Sequence, residues 1–225
     1  MSLRDALQEN AAWFRLLTDA QQERVLQTTT TAEFATNAII EHKGTQAQAW
    51  IGVFDGGLIK VSVSRADGKL ATLTGVSAGG WIGEGSLLKR EARRYDVIAL
   101  RASTVARVPQ TTFDWLLENN IRFNRYLLDQ LNERVAQFIG KAEHDRLLDA
   151  DARVARCLAE LFNPLLYPDK SLTLRITQEE IGLLARTSRQ RTNRALRTLE
   201  AERLLKVEYG AVHVLDLDGL KHYGL

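Results

Sequence analysis

The residues best equipped for recognition chemistry lie near the C-terminus, in the stretch RTSRQRTNRALR over 186–197. Five arginines fall in twelve positions, beside Ser188, Gln190 and Asn193. A guanidinium presents a planar fork of donors that matches guanine O6 and N7, and a Gln or Asn amide pairs with adenine in the same two-pronged way. At helical spacing Arg189, Gln190, Asn193 and Arg194 share one outward face, while Thr192, Ala195, Leu196 and Leu199 can turn inward. Arg186, Thr187, Arg191 and Arg197 flank that face and suit phosphates, contacts that add affinity and salt dependence without reading sequence. Residues 186–206 carry seven positive side chains against two negative, although the whole chain is only +2. The charge is therefore local, and the expected ligand is double-stranded DNA.

Such a helix needs elements that hold it. Thr177 with Glu180 three residues on reads as a capping box that starts a first helix, and Thr177 is counted with the DNA-contacting set. Ile181 and Leu184 supply its buried face, RTS makes a turn, and Ser188 caps the second helix. LLKVEYGAVHVLD then reads as strand, turn and strand. Helix, tight turn, helix and hairpin in this order make a winged helix-turn-helix.

The rest of the chain divides by period. Residues 3–26 suit short helices. Between Glu33 and Val108, short β-rich runs (AWIGVF, LIKVSVS, LATLTGV, YDVIALRA, TVARV) are separated by Gly- and Asp-containing turns, the pattern of an antiparallel sandwich or barrel. RADGK at 65–69 signals a hairpin. From about Thr111 to Gly140 the chain reads as one long helix. Ile121, Asn124, Leu128, Leu131, Val135, Phe138 and Ala142 recur along it at steps of three and four, a heptad seam that predicts a homodimer. Leu116, Phe123 and Leu127 form a second apolar set that would attach the helix to its own domain. The helical tract continues to NPLLYPDK, where two prolines mark a loop. The fold class is α+β: a sensing antiparallel β-roll domain over 1–110, a dimerisation helix over 111–142 and a DNA-binding winged helix over 147–225.

Other chemistry is poorly supported. One cysteine, Cys157, excludes an internal disulfide or an iron–sulfur cluster held by four thiolates, and its apolar neighbours predict a buried residue. Of His42, His144, His213 and His222, only His42 lies in the β region, so neither a metal site nor a catalytic one is expected. His42 reads as an exposed turn residue rather than a haem ligand. The start MSLRDALQEN is no signal peptide, and no run approaches the roughly 20 apolar residues that span a bilayer. A cytoplasmic protein without a membrane partner or enzymatic activity is expected. The competing class is a ligand-binding or scaffold protein whose winged helix contacts another protein.

The order of β-roll, long helix and winged helix resembles the cyclic-AMP receptor protein/FNR (Crp/Fnr) family of bacterial transcription regulators. ITQEEIGLLARTSRQRTNRALRTLEAERLL is similar to its recognition unit, where Ser-Arg-Glu-x-x-x-Arg reads the operator. The resemblance makes Arg189 and Arg194 base readers, with Gln190 in place of the usual Glu. GGWIGEGSLLKREARRYD resembles the family's phosphate-binding cassette, which implies Gly83, Glu84, Gly85, Ser86, Arg93, Arg94, Tyr95 and Phe138 as effector-site candidates. Glu84 and Arg94 fall into register with the ribose and phosphate ligands. Tyr95 departs from the family's Ser or Thr, and Phe138 and Ile139 stand where cyclic-AMP responders carry Thr-Ser. The Glu84/Arg94 pair is thus read either as effector ligands or as a structural ion pair in a degenerate pocket. The resemblance implies an unknown small effector other than cyclic AMP, with a nucleotide-like one allowed, a two-fold-symmetric operator and RNA polymerase as a partner.

Overall fold

Each of the first two helices begins where a hydroxyl side chain closes a capping box. Ser2 and Asp5 start α1 (Leu3–Asn10), and Thr18 and Gln21 start α2 (Asp19–Thr28), satisfying N–H groups that have no partner within the helix. The computed structural model describes residues 2–54, 56–64, 70–147, 149–168 and 171–224. It divides into one unit made of Met1–Asn132 with Leu165–Asp169, and a second made of Glu133–Pro164 with Lys170–Leu225.

In the first unit the β-rich runs become β1 (Thr30–Phe34), β2 (Ile39–Glu41), β3 (Ala49–Phe54), β4 (Leu58–Ser64), β5 (Leu70–Ser77), β6 (Trp81–Ile82), β7 (Asp96–Ala99) and β8 (Ser103–Pro109). They form two four-stranded antiparallel sheets ordered β1-β8-β3-β6 and β2-β7-β4-β5. Strands β4 and β5 pair from Ser64 and Leu70 onward, whereas the RADGK turn expected between them lies outside the described residues. Alternation sorts the side chains of β3. Ile51 and Val53 enter an apolar cluster with Ile59, Val61, Val76, Val97 and Val105, between the sheets. Trp50 and Phe54 face a second cluster built with the helices. There the indoles of Trp13, Trp50 and Trp81 meet at 4.6–5.1 Å between ring centroids. Gly52 makes this possible, since a Cβ on it would lie 2.5 Å from the Trp81 ring.

The long helix is two helices, which corrects the continuous one expected from Thr111 to Gly140. α4 (Gln110–Asn119) ends at Asn120, whose backbone is extended, and α5 runs Ile121–Leu147. Asn120 Oδ1 accepts from the Phe123 amide at 2.9 Å, and its Nδ2 donates to Gln21 at 2.7 Å. Asparagine competes with the helical backbone for such bonds and therefore caps helices rather than continuing them. Leu116, Phe123 and Leu127 are buried as attachment points. Of the heptad positions, Ile121, Leu128, Val135 and Phe138 are exposed. Leu131 instead packs against the helix-side cluster, and Asn124 donates to the Leu117 and Asn120 carbonyls.

The second unit contains α6 (Ala150–Glu160), β9 (Thr173–Arg175), α7 (Gln178–Ala185), α8 (Arg189–Ala201), β10 (Leu205–Glu208), β11 (Ala211–Val214) and α9 (Leu217–His222). Its sheet is ordered β10-β11-β9. Val154, Leu158, Ile181, Leu184, Leu196, Leu199, Leu205 and Val212 are among its buried side chains.

Candidate nucleic-acid interface and effector site

The arginine-rich stretch becomes α8. At 3.6 residues per turn, Arg189, Gln190, Asn193, Arg194 and Arg197 span an arc of about 140°, and Thr192, Ala195, Leu196 and Leu199 point the opposite way. Burial follows this division. The four inward residues are 0–1% exposed, and Arg189, Gln190, Arg191, Arg194 and Arg197 all lie open to solvent. A helix that fastens itself with one stripe and sets its guanidinium groups on the other is shaped to enter a groove.

The turn before α8 sets its angle. Thr177 Oγ1 accepts from the Glu180 amide at 3.2 Å and the Glu180 carboxylate accepts from the Thr177 amide, so the expected capping box starts α7. Arg186 closes α7 in the left-handed conformation (φ 53°), with its N–H on the Gly182 carbonyl. Thr187 and Thr192 share a hydroxyl hydrogen bond of 2.6 Å, and the Ser188 hydroxyl accepts from the Arg191 amide as the cap of α8. Gly182 lets the helices approach, because a Cβ there would sit 3.1 Å from the Thr192 hydroxyl.

Asn193 differs from the other expected readers. It is half-buried, and its Nδ2 donates to Gln178 Oε1 at 2.8 Å. The amide is thus committed to the first turn of α7, which brings Gln178 beside the reading face. Sequence reasoning missed Gln178, since two amides fifteen residues apart carry no local signal. Tyr209, next to Gly210 at the tip of the β10–β11 wing, is fully exposed and lies outside the predicted contact set. An open groove of about 430 Å³ runs between wing and helices, with Gln178, Arg189, Glu208 and Tyr209 in its lining.

The cassette of the first unit is arranged differently from its sequence register. Gly83 (φ 99°) starts α3 (Glu84–Lys89), and Glu84 and Ser86 are buried in it. Gly85 leaves open space where a Cβ would stand. The inward arginine is Arg93, 2% exposed. Its Nη1 donates to the Gly83 carbonyl at 2.8 Å, its Nη2 to the Ala49 carbonyl at 2.5 Å, and its Nε faces Glu41 Oε2 at 3.4 Å. Arg107 donates to the other oxygen of the same carboxylate.

Arg94, expected in the phosphate position, instead forks onto Glu91 at 2.8 and 2.9 Å on the exposed surface. That bond holds the Glu91 carboxyl below its ordinary pKa and raises that of Arg94. Register points to Arg94, but the two arginines lie in the irregular segment before β7, where the buried Glu41 and the Gly83 and Ala49 carbonyls hold Arg93 in and Glu91 holds Arg94 out. Tyr95 packs against the inter-sheet cluster. Phe138 lies exposed on α5, in the second unit. Glu84 and Arg94 are therefore not brought together.

Cys157 is buried as expected. Among the described residues no group of three or more His, Cys, Asp or Glu is placed to hold a metal ion, and no helix is long and apolar enough to cross a membrane.

Known proteins share both parts. Residues 31–120 match the family model of the cyclic nucleotide-binding domain, and residues 152–223 match that of the Crp-like helix-turn-helix domain. The chain is 26% identical over 177 residues to the cAMP-activated global transcriptional regulator CRP of Pasteurella multocida, covering 77% of this chain and 84% of that protein. It is 27% identical over 165 residues to the cAMP-activated global transcriptional regulator Vfr of Pseudomonas aeruginosa, covering 70% and 73%. The solved structure of FixK2 from Bradyrhizobium japonicum has the same fold, with a TM-score of 0.67 over 85% of this chain and 95% of that one at 16% identity.

Proposed function

Since this chain belongs to the Crp/Fnr family and is a DNA-binding transcription regulator, we propose that it works as a cytoplasmic homodimer reading a two-fold-symmetric operator under control of an effector other than cyclic AMP. The observation that carries the DNA part is the division of α8 into a buried apolar stripe and an exposed cationic arc. Arg189, Gln190 and Arg194 read base edges. Arg186, Thr187, Ser188, Arg191 and Arg197 hold phosphates, with Thr177 at the N-terminus of α7, where backbone N–H groups also suit an anion. Tyr209 contacts the backbone beside the half-site. The exposed face of α5 (Ile121, Leu128, Val135, Phe138) supports pairing with a second copy, which delivers two reading helices to two half-sites. RNA polymerase is the further partner in this reading, and no catalytic step belongs to it.

The relatives from Pasteurella and Pseudomonas are named for cyclic AMP. In this chain the buried cassette arginine already has a carboxylate and two carbonyls as acceptors. A cyclic phosphate would have to displace Glu41 to reach Arg93, leaving a buried carboxylate on Arg107 alone. Tyr95 puts a phenol where family members use the short Ser or Thr hydroxyl, and Phe138 and Ile139 carry no hydroxyl at all. Two measurements test the reading. Mobility shifts on an operator selected from random duplexes should weaken steeply with added salt. Calorimetric titration with a nucleotide panel should give no heat with cyclic AMP, and a cyclic-AMP-dependent gain in operator affinity would overturn the effector part.

A further inference from the structure

Two of the side chains enclosed with the inter-sheet cluster do not come from the β-rich region. The chain leaves the second unit after Pro164, contributes Leu165–Asp169 to the first, and continues in the second from Lys170. Leu166 and Tyr167, each 1% exposed, join the cluster of Ile51, Val53, Ile59, Val76 and Val105. The Tyr167 hydroxyl donates to the Gly75 carbonyl at 2.9 Å across 92 residues of sequence. Gly80 leaves the room for it, since a Cβ there would stand 2.8 Å from the Tyr167 ring. Residues 164–168 form no helix or strand, so side chains rather than a backbone ladder hold the segment in place. An isobutyl group, a phenol ring and one donated hydrogen bond are the kind of contacts a small ligand makes in an apolar chamber with few polar groups.

We propose that this space is the effector site, that Leu166 and Tyr167 are its resident occupants, and that the effector is a small uncharged aromatic alcohol that takes their place. The inference deepens the reading above and rests on its placement of an effector in the β-roll. The chemistry selects the class. A phenol hydroxyl satisfies the Gly75 carbonyl, which an anion could only repel. The buried cation near the cassette, Arg93, already has a carboxylate, Glu41, and two backbone carbonyls as acceptors. Entry of such a ring expels a segment whose flanking residues belong to the DNA-binding unit, which links occupancy to that unit through the chain itself.

The probe is p-cresol, the side-chain analogue of tyrosine, with toluene (no donor) and 4-methylbenzoate (anionic) as comparisons, on the full-length protein. In the wild type, saturating p-cresol should raise amide exchange at residues 165–167 while leaving β3, β4 and β5 protected, and neither comparison compound should do so. In Tyr167→Ala, where the phenol ring no longer competes, p-cresol should bind about tenfold or more tightly than in the wild type, because its place in the site is no longer mostly occupied. Tyr167→Phe keeps the packing and covers the case in which the alanine variant does not fold: it should lose only the Gly75 bond and let p-cresol enter more readily than in the wild type. Unchanged exchange at 165–167, no gain in the foldable variants, or equal response to 4-methylbenzoate would overturn the proposal. Salt-sensitive operator binding measured on the same samples is independent of it, so loss of that binding counts against the regulator reading instead.

Discussion

Arg93 and Glu41 face each other at 3.4 Å with both side chains buried, an internal ion pair beside the Gly83 start of α3. Two charges out of water persist only when each is matched and further hydrogen-bonded, and Arg93 meets that condition through Gly83 and Ala49. Removing one partner leaves the other uncompensated. Glu41→Gln is expected to destabilise the first unit by about 3–5 kcal/mol. It should also create an affinity for inorganic phosphate that the wild type lacks. Thermal melts with and without phosphate measure both effects, and a variant as stable as the wild type would refute the pairing.

On α8, Arg189→Ala should cost about 1–3 kcal/mol of operator affinity and relax preference at one base position. Arg197→Ala should instead weaken all sequences alike and flatten the salt dependence by about one unit of slope. Gln178→Ala releases Asn193 from its 2.8 Å bond and should shift base preference with little loss of affinity. Selection from random duplexes with each variant separates these outcomes.

Leu128 and Val135 are 65% and 57% exposed on α5. Leu128→Asp and Val135→Asp should each weaken the dimer by about 2–4 kcal/mol and leave the melting profile of the isolated protomer little changed. Sedimentation velocity across a concentration series reads this directly. A dimer indifferent to both changes would mean that another face carries the contact.

Gly52→Ala puts a methyl group into the Trp81 indole. Neither a β-strand backbone nor a ring packed against Trp13, Trp50 and Phe54 yields without cost, so the variant should lose about 1–3 kcal/mol. Its tryptophan emission should move to the red as the cluster loosens.

Burial pushes the Cys157 thiol from its ordinary value of 9.0 up to about 12, with Lys141 opposing and Glu160 adding to the shift. Below pH 9 the thiol is protonated in both folded and unfolded chains. Between pH 9 and 12 only the unfolded chain ionises, so stability falls as pH rises through that window. Cys157→Ala should flatten the alkaline decline, and iodoacetamide at neutral pH should label the wild type only after denaturation.

Much of the fold was legible because its signals are local. The Thr177–Glu180 box and the Ser188 cap each depend on residues three apart in the chain. Short β-rich runs bounded by Gly- and Asp-containing turns marked the strands, and helical spacing separated the inward from the outward side of α8. The break at Asn120 was hidden, since its decisive partner, Gln21, lies 99 residues away. The choice of Arg93 over Arg94 depended on Glu41, 52 residues upstream of Arg93.

What the amino-acid order determined by itself was the order of β-rich region, helical tract and winged helix and the chemistry of the reading helix, because charge, periodicity and capping act over a few residues. Only the tertiary structure decided which cassette arginine is buried, that its charge is already matched, and that Tyr167 occupies the chamber between the sheets. Those outcomes arise from burial, and burial depends on which distant segments meet: an arginine or a tyrosine has the same composition whether its partner is solvent, a ligand or another part of its own chain.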